Sequence, residues 1–352
     1  MSLDEPVDIA FCRAIPKVEL HAHLTGSITK PILQQIWDRR SNDPTFQVES
    51  PEVALGDGTG QDISAFFGHF NTYLYKLISD LPSLILATRA VLQAFQDDGV
   101  AYFELRTTPR SIGSHSPEDV IRAVLNVIDE WNAHERMSVG LILSIDQAKH
   151  DSATAMRIVD MATTLQKEGK AVVGVDLCGD PHNVPDVTIF RSAFQTAKQR
   201  GLGVVLHYAE VPASSTRPVL EEMLAWNPDR LGHVIHVPLD LRRQIIERGI
   251  SVELCLTCNV LAGMLPSKAS FDEHHFGEWW RATDQPRLSL GTDDVGVFGS
   301  MSSEEYLLAA KHFGLSRRDL IKLSRCALSG SLGDARRAIA TLDRFEQSLK
   351  SS

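Results

Sequence analysis

The chain has 352 residues, of which 43% are hydrophobic and 23% are charged, proportions typical of a soluble globular protein. This balance argues against a disordered chain, a collagen and a coiled coil. Acidic residues outnumber basic residues by 45 to 35, which gives a formal net charge of −10. Such a charge disfavours nucleic acids and anionic membrane surfaces as partners, so we expect neither.

The five cysteines are too few and too scattered for the disulfide framework of a small secreted protein. Cys255 and Cys258 have CxxC spacing, which suits either a redox pair or two small buried side chains at a strand end. Residues 1–11 lack the features of a signal peptide, and no apolar run approaches the roughly 18 residues of a membrane span. We therefore expect a cytoplasmic protein. The sequence does not determine the oligomeric state, for which our expectation is a monomer.

Short apolar runs rich in β-branched residues alternate along the chain with segments of helical periodicity. Near-continuous hydrophobicity of this kind is typical of strands that are buried on both faces of a parallel sheet. The runs lie at residues 18–20, 100–105, 139–145, 172–177, 204–206, 231–235, 250–256 and 288–290. We predict one parallel strand for each of these eight runs.

The segments between the runs predict helices. Ser116 and Pro117 supply an N-cap and a first-turn proline, and Asp151 opens a second amphipathic segment. Alternating strands and amphipathic helices predict an α/β protein with a single (β/α)8 TIM barrel domain over residues 1–352. An open doubly wound sheet is the competing architecture, but no G-x-G-x-x-G follows the first predicted strand.

Two segments between the first and second predicted strands fall outside this repeat. Residues 41–62 are rich in Pro, Gly, Ser and Asp and predict a long loop, whereas residues 66–97 are mostly apolar and predict helix. Loops that follow barrel strands form the active-site face, so residues 41–97 are predicted to be an insertion of loop and extra helices over that face. The insertion could be a lid or additional core packing, and the sequence leaves both interpretations open.

Polar residues are found where the predicted strands end. His21 and His23 close the first strand, and residues two apart on a strand face the same side. The carboxyl ends of barrel strands surround one cavity, so polar side chains from other strand ends should meet these two histidines. The residues at the ends of strands five, six and eight are His207, Glu210, His233, Asp293 and Asp294.

The residue types in this group favour metal-dependent hydrolysis. Three neutral imidazoles and one carboxylate suit Zn²⁺ and leave a coordination position for water, whose pKa such an ion lowers to about 7. A nearby glutamic acid could protonate the group under attack while a further histidine orients the water. The pattern predicts attack by hydroxide on a carbonyl-like or amidine carbon.

Five motifs, in family order and covering the chain from residue 15 to about residue 330, resemble those of the adenosine/AMP deaminase family. They are LHAHLTGS (residues 20–27), DLCGD (176–180), HYAE (207–210), RLGH (230–233) and TDD (292–294). The resemblance implies a zinc-dependent barrel hydrolase that replaces the 6-amino group of a purine with oxygen.

The resemblance also implies individual roles for the residues of these motifs. One zinc ion per chain would be bound by His21, His23, His207 and Asp293. Glu210 would protonate the ring nitrogen beside the attacked carbon, and His233 would position or deprotonate the zinc-bound water and stabilise the oxyanion. Asp294 and the backbone N–H of Gly179 would contact the purine.

Within the family, residues 103–110 and 292–298 resemble the adenosine deaminase-like subgroup, whose members convert N6-methyl-AMP to IMP and methylamine. Thr25 stands where adenosine deaminases carry Asp and adenine deaminases carry Glu. A hydroxyl group there can donate to a 5′-phosphate that a carboxylate would repel, so we expect a purine nucleoside monophosphate as the substrate. The candidate phosphate contacts are Thr25, Thr107, Thr108, Lys76 and Arg110.

Other functions compete with this one. Adenosine deaminase activity is the nearest alternative. A barrel amidohydrolase of the phosphotriesterase type shares the HxH motif, but it would need a bridging lysine and two metal ions and would leave Glu210 without a role. A barrel without activity predicts broken metal ligands, yet every expected position is occupied. A cytidine-deaminase type of site is disfavoured because HxE and PCxxC are absent.

Overall fold

Eight parallel strands form one sheet that curves into a barrel. The computed structural model describes residues 2–56, 63–183, 186–266, 270–282 and 286–350. The strands are β1 (Lys17–His23), β2 (Val100–Thr107), β3 (Ser138–Asp146), β4 (Val172–Cys178), β5 (Gly203–Tyr208), β6 (Arg230–His233), β7 (Ser251–Leu254) and β8 (Leu288–Leu290). Each strand pairs with the next along the chain, and a parallel bridge between Ala22 and Asp293 brings the two ends of the sheet together. The predicted (β/α)8 fold is confirmed.

Helices connect the strands and cover the outer face of the barrel. Within the described residues the α-helices are α1 (Ile9–Ala14), α2 (Lys30–Arg40), α3 (Pro51–Leu55), α4 (Ile63–Leu77), α5 (Leu81–Asp97), α6 (Pro117–His134), α7 (Ser152–Lys167), α8 (Arg191–Gln199), α9 (Arg217–Ala225), α10 (Leu239–Glu247), α11 (Leu256–Leu261), α12 (Phe276–Trp280), α13 (Val295–Phe298), α14 (Ser302–Phe313), α15 (Arg317–Leu328) and α16 (Arg336–Lys350). In the part of the chain that the structure describes, none of these helices combines the length and the apolar character needed to cross a membrane.

All eight apolar runs form strands, although some ends differ from the prediction. β1 extends from the apolar run at 18–20 as far as His23, in agreement with the prediction that His21 and His23 close the first strand. β6 ends at His233, two residues before the predicted end, because His233 and Val234 have φ angles of 63° and 48°. These angles lie outside the β region, so the chain leaves the sheet there.

The predicted helix starts at Ser116 and Asp151 are confirmed. Ser116 and Asp119 form a capping box, in which each side chain accepts a hydrogen bond from the backbone N–H of the other residue. The side chain of Asp151 accepts the backbone N–H of Thr154 at the start of α7.

The insertion between β1 and β2 is more helical than predicted. The loop prediction for 41–62 is wrong for α3, where Ser50 caps the helix and Pro51 occupies its first turn. Residues 57–62 of that predicted loop lie outside the described residues. The helical prediction for 66–97 is confirmed as two helices, α4 and α5, because the side chain of Asp80 caps a new helix by accepting the backbone N–H of Ser83.

The insertion packs against the barrel through apolar side chains. Phe70, Leu74 and Leu77 of α4 are fully buried, and α4 also contacts α13, which directly follows Asp294. These contacts favour additional core packing at the carboxyl ends of the strands. The placement of 41–97 over the active-site face as part of one domain, and its action as a lid, stay predictions.

Glu305 of α14 makes the stability of the fold depend on pH. Its carboxyl group accepts hydrogen bonds from the Ser300 hydroxyl (2.6 Å) and the backbone N–H of Thr257 (3.2 Å), yet burial raises its pKa to about 7. Because the pKa in the folded state is above the usual pKa of the unfolded chain, the stabilising contribution is complete only at low pH. It is lost as the pH rises through about 7.

We predict that Glu305→Gln, which keeps the shape of the side chain without a charge, loses less stability than the wild type at alkaline pH. Between about pH 5 and about pH 8, the wild type should lose on the order of 2 to 3 kcal/mol of unfolding free energy relative to the variant. Urea unfolding at several pH values measures this difference, with the exposed Glu247→Gln of α10 as the control. Parallel pH profiles for the wild type and Glu305→Gln would contradict the prediction.

Candidate active site

Four side chains from three strand ends converge at the carboxyl end of the barrel. His21 and His23 come from β1, His207 comes from β5, and Asp293 follows β8, and their candidate ligand atoms all lie within 4.8 Å of one another. Nε2 of His23 is 3.1 Å from Nε2 of His207 and 3.4 Å from Oδ1 of Asp293. Nε2 of His21 is 3.7 Å from the same carboxylate oxygen. The structure thus brings the four predicted metal ligands together.

The cluster fits a divalent metal ion. Nε2 of His21 is buried without a hydrogen-bond partner among the described residues, although buried polar atoms are normally paired. Burial disfavours a charged ring at His207, but the carboxylate of Asp176 outweighs it and raises the pKa of His207 to about 9. This position therefore attracts positive charge. Three imidazoles and one carboxylate form a donor set that binds a transition-metal ion and leaves one position for water.

Buried carboxylates hold the outer nitrogen of two of these histidines. Nδ1 of His21 donates to Oε2 of Glu253 (2.7 Å). Nδ1 of His207 donates to the carbonyl oxygen of Leu177 (2.9 Å) and to Oδ1 of Asp176 (3.1 Å). With the remaining proton held on Nδ1, a metal ion that displaces any proton from Nε2 meets a lone pair directed at the centre of the cluster.

The same carboxylates belong to a charged network that fills the interior of the barrel. Arg106 contacts Glu253 and Asp176, while Arg230 contacts Glu253 and Glu104 at 2.5 Å each. All five side chains are fully buried. Removing one partner from a buried ion pair leaves an uncompensated charge and costs about 3 to 5 kcal/mol. The pairing therefore holds in place the carboxylates that orient the histidines.

We call the group of His21, His23, His207 and Asp293 the metal-ligand cluster. Glu210 and His233 face this cluster from the ends of β5 and β6. Nε2 of His233 is 3.8 Å from Oε1 of Glu210 and 3.7 Å from Oδ2 of Asp293, and it has no hydrogen-bond partner among the described residues. Burial raises the pKa of Glu210 to about 7, so this carboxyl group can hold a proton near neutral pH. Burial lowers the pKa of His233 to about 4, which keeps its ring neutral. A proton donor and a neutral imidazole thus face the same space.

Asp294 lies against the loop that follows β1. A Cβ atom at Gly26 would fall 1.3 Å from Oδ1 of Asp294, so the carboxyl group occupies space that only a glycine leaves open. Burial, reinforced by the negative charge of Asp293, raises the pKa of Asp294 well above its usual range and favours the protonated form. Thr25, the residue before Gly26, is partly exposed on the same loop. In its protonated form Asp294 can donate a hydrogen bond, and it lies against Gly26, the residue that follows the predicted phosphate contact Thr25.

The strand ends that carry these residues have unusual backbone conformations. Positive φ angles of 54°, 63°, 48° and 60° occur at Ala209, His233, Val234 and Asp293. Such angles are uncommon outside glycine and rare for a β-branched residue, and strain of this kind concentrates at functional sites. Hydrogen bonds hold the turns in place, including those from the N–H of Val234 to Tyr208 (3.0 Å) and from the N–H of Asp293 to His21 (2.8 Å).

Three further predicted substrate contacts lie at strand ends. Thr107 is the last residue of β2, Thr108 follows it, and Gly179 follows β4. Gly179 has a φ angle of 111°, and a Cβ atom there would lie 2.4 Å from Oδ1 of Asp146, so this position requires glycine. The hydroxyl of Thr108 is 3.9 Å from Sγ of Cys178.

Lys76 and Arg110, the two predicted cationic phosphate contacts, lie in and beside α4 of the insertion. The guanidinium group of Arg110 lies 4.6 Å from the centre of the Tyr75 ring of α4. Lys76 is exposed in the last turn of the same helix. Nothing in the contacts of the described residues connects either cation to the metal-ligand cluster, and their role in phosphate binding stays a prediction.

Sequence reasoning missed the buried residues that form hydrogen bonds to the predicted metal ligands. Glu253 gave one signal, as a single acidic residue within the apolar strand β7, where a buried charge needs a partner. Cys255 and Cys258 are buried free thiols, which favours the interpretation as small buried side chains. The thiol of Cys258 donates to Oδ2 of Asp293 (2.9 Å), a contact that the CxxC spacing did not indicate.

An eight-stranded parallel barrel with a histidine–aspartate cluster at the carboxyl ends of its strands defines a metal-dependent hydrolase of the barrel class. A family model described as adenosine deaminase matches residues 16–348. The chain belongs to the adenosine deaminase family, and it is a hydrolase that acts as a deaminase. The family predicted from the sequence is confirmed.

Several relatives are similar over nearly their whole length. The N6-methyl-AMP deaminase of Danio rerio is 34% identical over 337 residues, which are 93% of this chain and 92% of the relative. The N6-methyl-AMP deaminase of Homo sapiens is 31% identical over 332 residues, 91% of this chain and 89% of the relative. A solved structure of arabidopsis ADAL complexed with IMP is 28% identical, with a TM-score of 0.84 over 97% of this chain and 99% of that chain.

We predict that Asp176→Asn weakens metal binding. The substitution removes the negative charge that holds Nδ1 of His207 and leaves Arg106 with one carboxylate fewer, so the ligand should be less well oriented. Loss of such a partner typically reduces metal affinity by about 10- to 100-fold, which competition with a chelator measures. Asp160→Asn, an exposed change on α7, is the control. Equal affinities for Asp176→Asn and the wild type would show that the carboxylate does not support the ligand.

Proposed function

We propose that this enzyme is a zinc-dependent hydrolytic deaminase of N6-methyl-AMP, or of a related N6-substituted AMP, and that it forms IMP and methylamine. The observation that carries the proposal is the convergence of the metal-ligand cluster with Glu210, His233 and Asp294 at one end of the barrel. The relatives named N6-methyl-AMP deaminase and the related structure complexed with IMP support the choice of substrate.

The metal proposed for the cluster is one zinc ion per chain. Its ligands are His21, His23, His207 and Asp293. When bound, zinc acts as a Lewis acid that lowers the pKa of water and so supplies a nucleophile at neutral pH. All other steps of the reaction are assigned to side chains of the enzyme.

Three side chains act on the purine and on the attacking oxygen. Glu210, whose pKa burial raises to about 7, donates its proton to the ring nitrogen beside C6 and makes that carbon electrophilic. His233 holds the attacking oxygen and stabilises the negative charge that develops on it. Asp294 in its protonated form donates to a nitrogen on the imidazole side of the purine. Glu210, left as a carboxylate, then carries the proton of the hydroxyl group added at C6 to the departing nitrogen. The C6–N6 bond breaks, methylamine leaves, and the carbonyl group of IMP remains.

The proposed partner is a single small molecule, a purine nucleoside monophosphate. In a chain with a net charge of −10, a phosphate needs local hydrogen-bond donors. Thr25 supplies a hydroxyl group on the loop that also borders Asp294, and the remaining proposed contacts are Gly179, Thr107, Thr108, Lys76 and Arg110. The monomeric state, the cytoplasmic location and the absence of a nucleic-acid partner stay predictions.

Glu210→Gln should retain the metal but lose turnover. Glutamine keeps the size of the side chain and lacks the proton that activates the ring, and general acid catalysis commonly contributes about 10²- to 10⁴-fold to the rate. Metal analysis and steady-state kinetics with N6-methyl-AMP test this expectation, with Glu221→Gln on α9 as the matched control. Turnover close to that of the wild type would remove Glu210 from the proposed role.

Thr25→Asp should impair nucleotides more than nucleosides. A carboxylate at this position would repel the 5′-phosphate, whereas the ribose hydroxyl of a nucleoside can donate to it. The measurement compares kcat/KM for adenosine, AMP and N6-methyl-AMP, and the wild type should prefer N6-methyl-AMP. Thr164→Asp, an exposed change on α7, controls for the added charge. A wild-type enzyme that prefers adenosine would favour the alternative of an adenosine deaminase. Equal losses of kcat/KM for all three substrates in Thr25→Asp would argue against a phosphate contact at Thr25.

A further inference from the structure

A chain of three hydrogen bonds leads from the backbone of α12 to the ring of His233. The backbone N–H of Phe276 donates to Nδ1 of His274 (3.0 Å). Nε2 of His274 is 3.2 Å from Oδ1 of Asn259, and Nδ2 of Asn259 is 2.9 Å from Nδ1 of His233. All three side chains are buried, with His274 exposed by 2% and the other two by 0%.

The first donor determines the direction of the later bonds. A backbone N–H can only donate, so Nδ1 of His274 carries a lone pair and the proton of the neutral ring is on Nε2. Burial lowers the pKa of His274 to about 3, which keeps this ring neutral at physiological pH. Nε2 of His274 therefore donates to Oδ1 of Asn259.

The amide group of Asn259 transmits this direction to His233. The opposite orientation would bring the amide N–H groups against the N–H of His274, and two donors cannot form a hydrogen bond. With Oδ1 directed at His274, Nδ2 donates to Nδ1 of His233 and also lies 3.6 Å from the sulfur of Met264, a weak acceptor. Nδ1 of His233 must then carry a lone pair.

We propose that Asn259 and His274 are positioning residues that hold His233 in the tautomer with its proton on Nε2, directed at the metal-ligand cluster. Nε2 of His233 is the buried atom without a partner that lies 3.7 Å from Asp293 and 3.8 Å from Glu210. The assignment rests on the proposed function in one respect, that the oxygen which attacks the purine lies within reach of this N–H.

The tautomer decides between the two roles that the sequence left open for His233. An imidazole with a proton on Nε2 can donate a hydrogen bond to the attacking oxygen, but it cannot accept a proton at that atom. His233 therefore holds and stabilises the oxygen, and proton transfer is left to Glu210. For the same reason Nε2 is not a metal ligand, although the candidate ligand atoms of His233, Cys255 and Asp293 lie within 4.8 Å of one another. Among the described residues, the second candidate group therefore lacks one of its three ligands, which leaves the cluster of His21, His23, His207 and Asp293 as the proposed metal site.

The direct test is the position of the proton on His233 in the metal-loaded, substrate-free enzyme. Long-range ¹H–¹⁵N NMR of protein labelled at histidine distinguishes protonated from unprotonated ring nitrogens, and the spectrum of His233→Gln assigns the signals. We expect Nε2 to be protonated and Nδ1 to be unprotonated in the wild type. In Asn259→Asp, an acceptor replaces the donor that faces Nδ1, so Nδ1 should become protonated.

Kinetics with N6-methyl-AMP provide the second readout. Asn259→Asp should retain its metal and its KM while kcat falls by about 10²- to 10³-fold, because the wrong tautomer removes one hydrogen-bond donor to the oxygen on which negative charge develops. His274→Gln keeps a donor towards Asn259 and should retain most of the activity, whereas His274→Leu removes the donor and should not. His236→Gln is the matched control, because His236 is a half-buried histidine whose ring bonds the carbonyl oxygen of Met264 (3.1 Å) and does not belong to the chain of bonds.

The outcomes separate this inference from the proposed function. A wild-type His233 with its proton on Nδ1, or an unchanged tautomer in Asn259→Asp, would overturn the positioning role whatever the substrate is. A wild type with the expected tautomer that does not deaminate N6-methyl-AMP would instead refute the proposed substrate and leave the positioning role standing.

Discussion

The rest of the site depends on the hydrogen bond and the ion pairs that the buried carboxylate of Glu253 forms. It receives Nδ1 of His21 on one oxygen and lies between the guanidinium groups of Arg106 and Arg230, all within a barrel interior closed to solvent. Charges in such an interior are stable only when they are paired, so the position of each member is determined by the others. The pairing extends through Arg106 to Asp176 and from there to His207. Two predicted metal-ligand histidines from separate strands are thereby oriented by one continuous network.

The contacts between Asp293 and β1 both close the barrel and bring the Asp293 side chain into the metal-ligand cluster. The backbone of Asp293 bonds β1 in both directions, from its N–H to His21 (2.8 Å) and from the N–H of His23 to its carbonyl oxygen (3.0 Å), while its side chain joins the histidine cluster. The positive φ of Asp293, like those of Ala209 and His233, would be unfavourable in an isolated chain. Pairing with neighbouring strands stabilises these turns, so the predicted catalytic side chains can be held where the strands end.

Environment, and not residue type, separates the carboxyl groups of the site into different roles. Burial alone would favour the neutral form of Asp293, but the surrounding histidines outweigh it and hold its pKa below the usual range. Its neighbour Asp294 lacks enough positive charge nearby, and burial raises its pKa instead. Glu210 lies between these cases, with a pKa of about 7. Asp293 is therefore suited to binding a metal ion, Asp294 to donating a hydrogen bond to the purine, and Glu210 to transferring a proton.

The sequence by itself determined the barrel, the family and the residues that form the cluster, because those signals are local. The apolar runs, the N-caps at Ser116 and Asp151, and the spacing of His21 and His23 depend on neighbours within a few positions. The roles of Glu253, Asn259 and His274 were decided only by the tertiary structure. Their partners are distant in sequence, and which side chains meet inside a barrel depends on strand register and on turns such as the one that ends β6 at His233. A local pattern carries no information about such pairings.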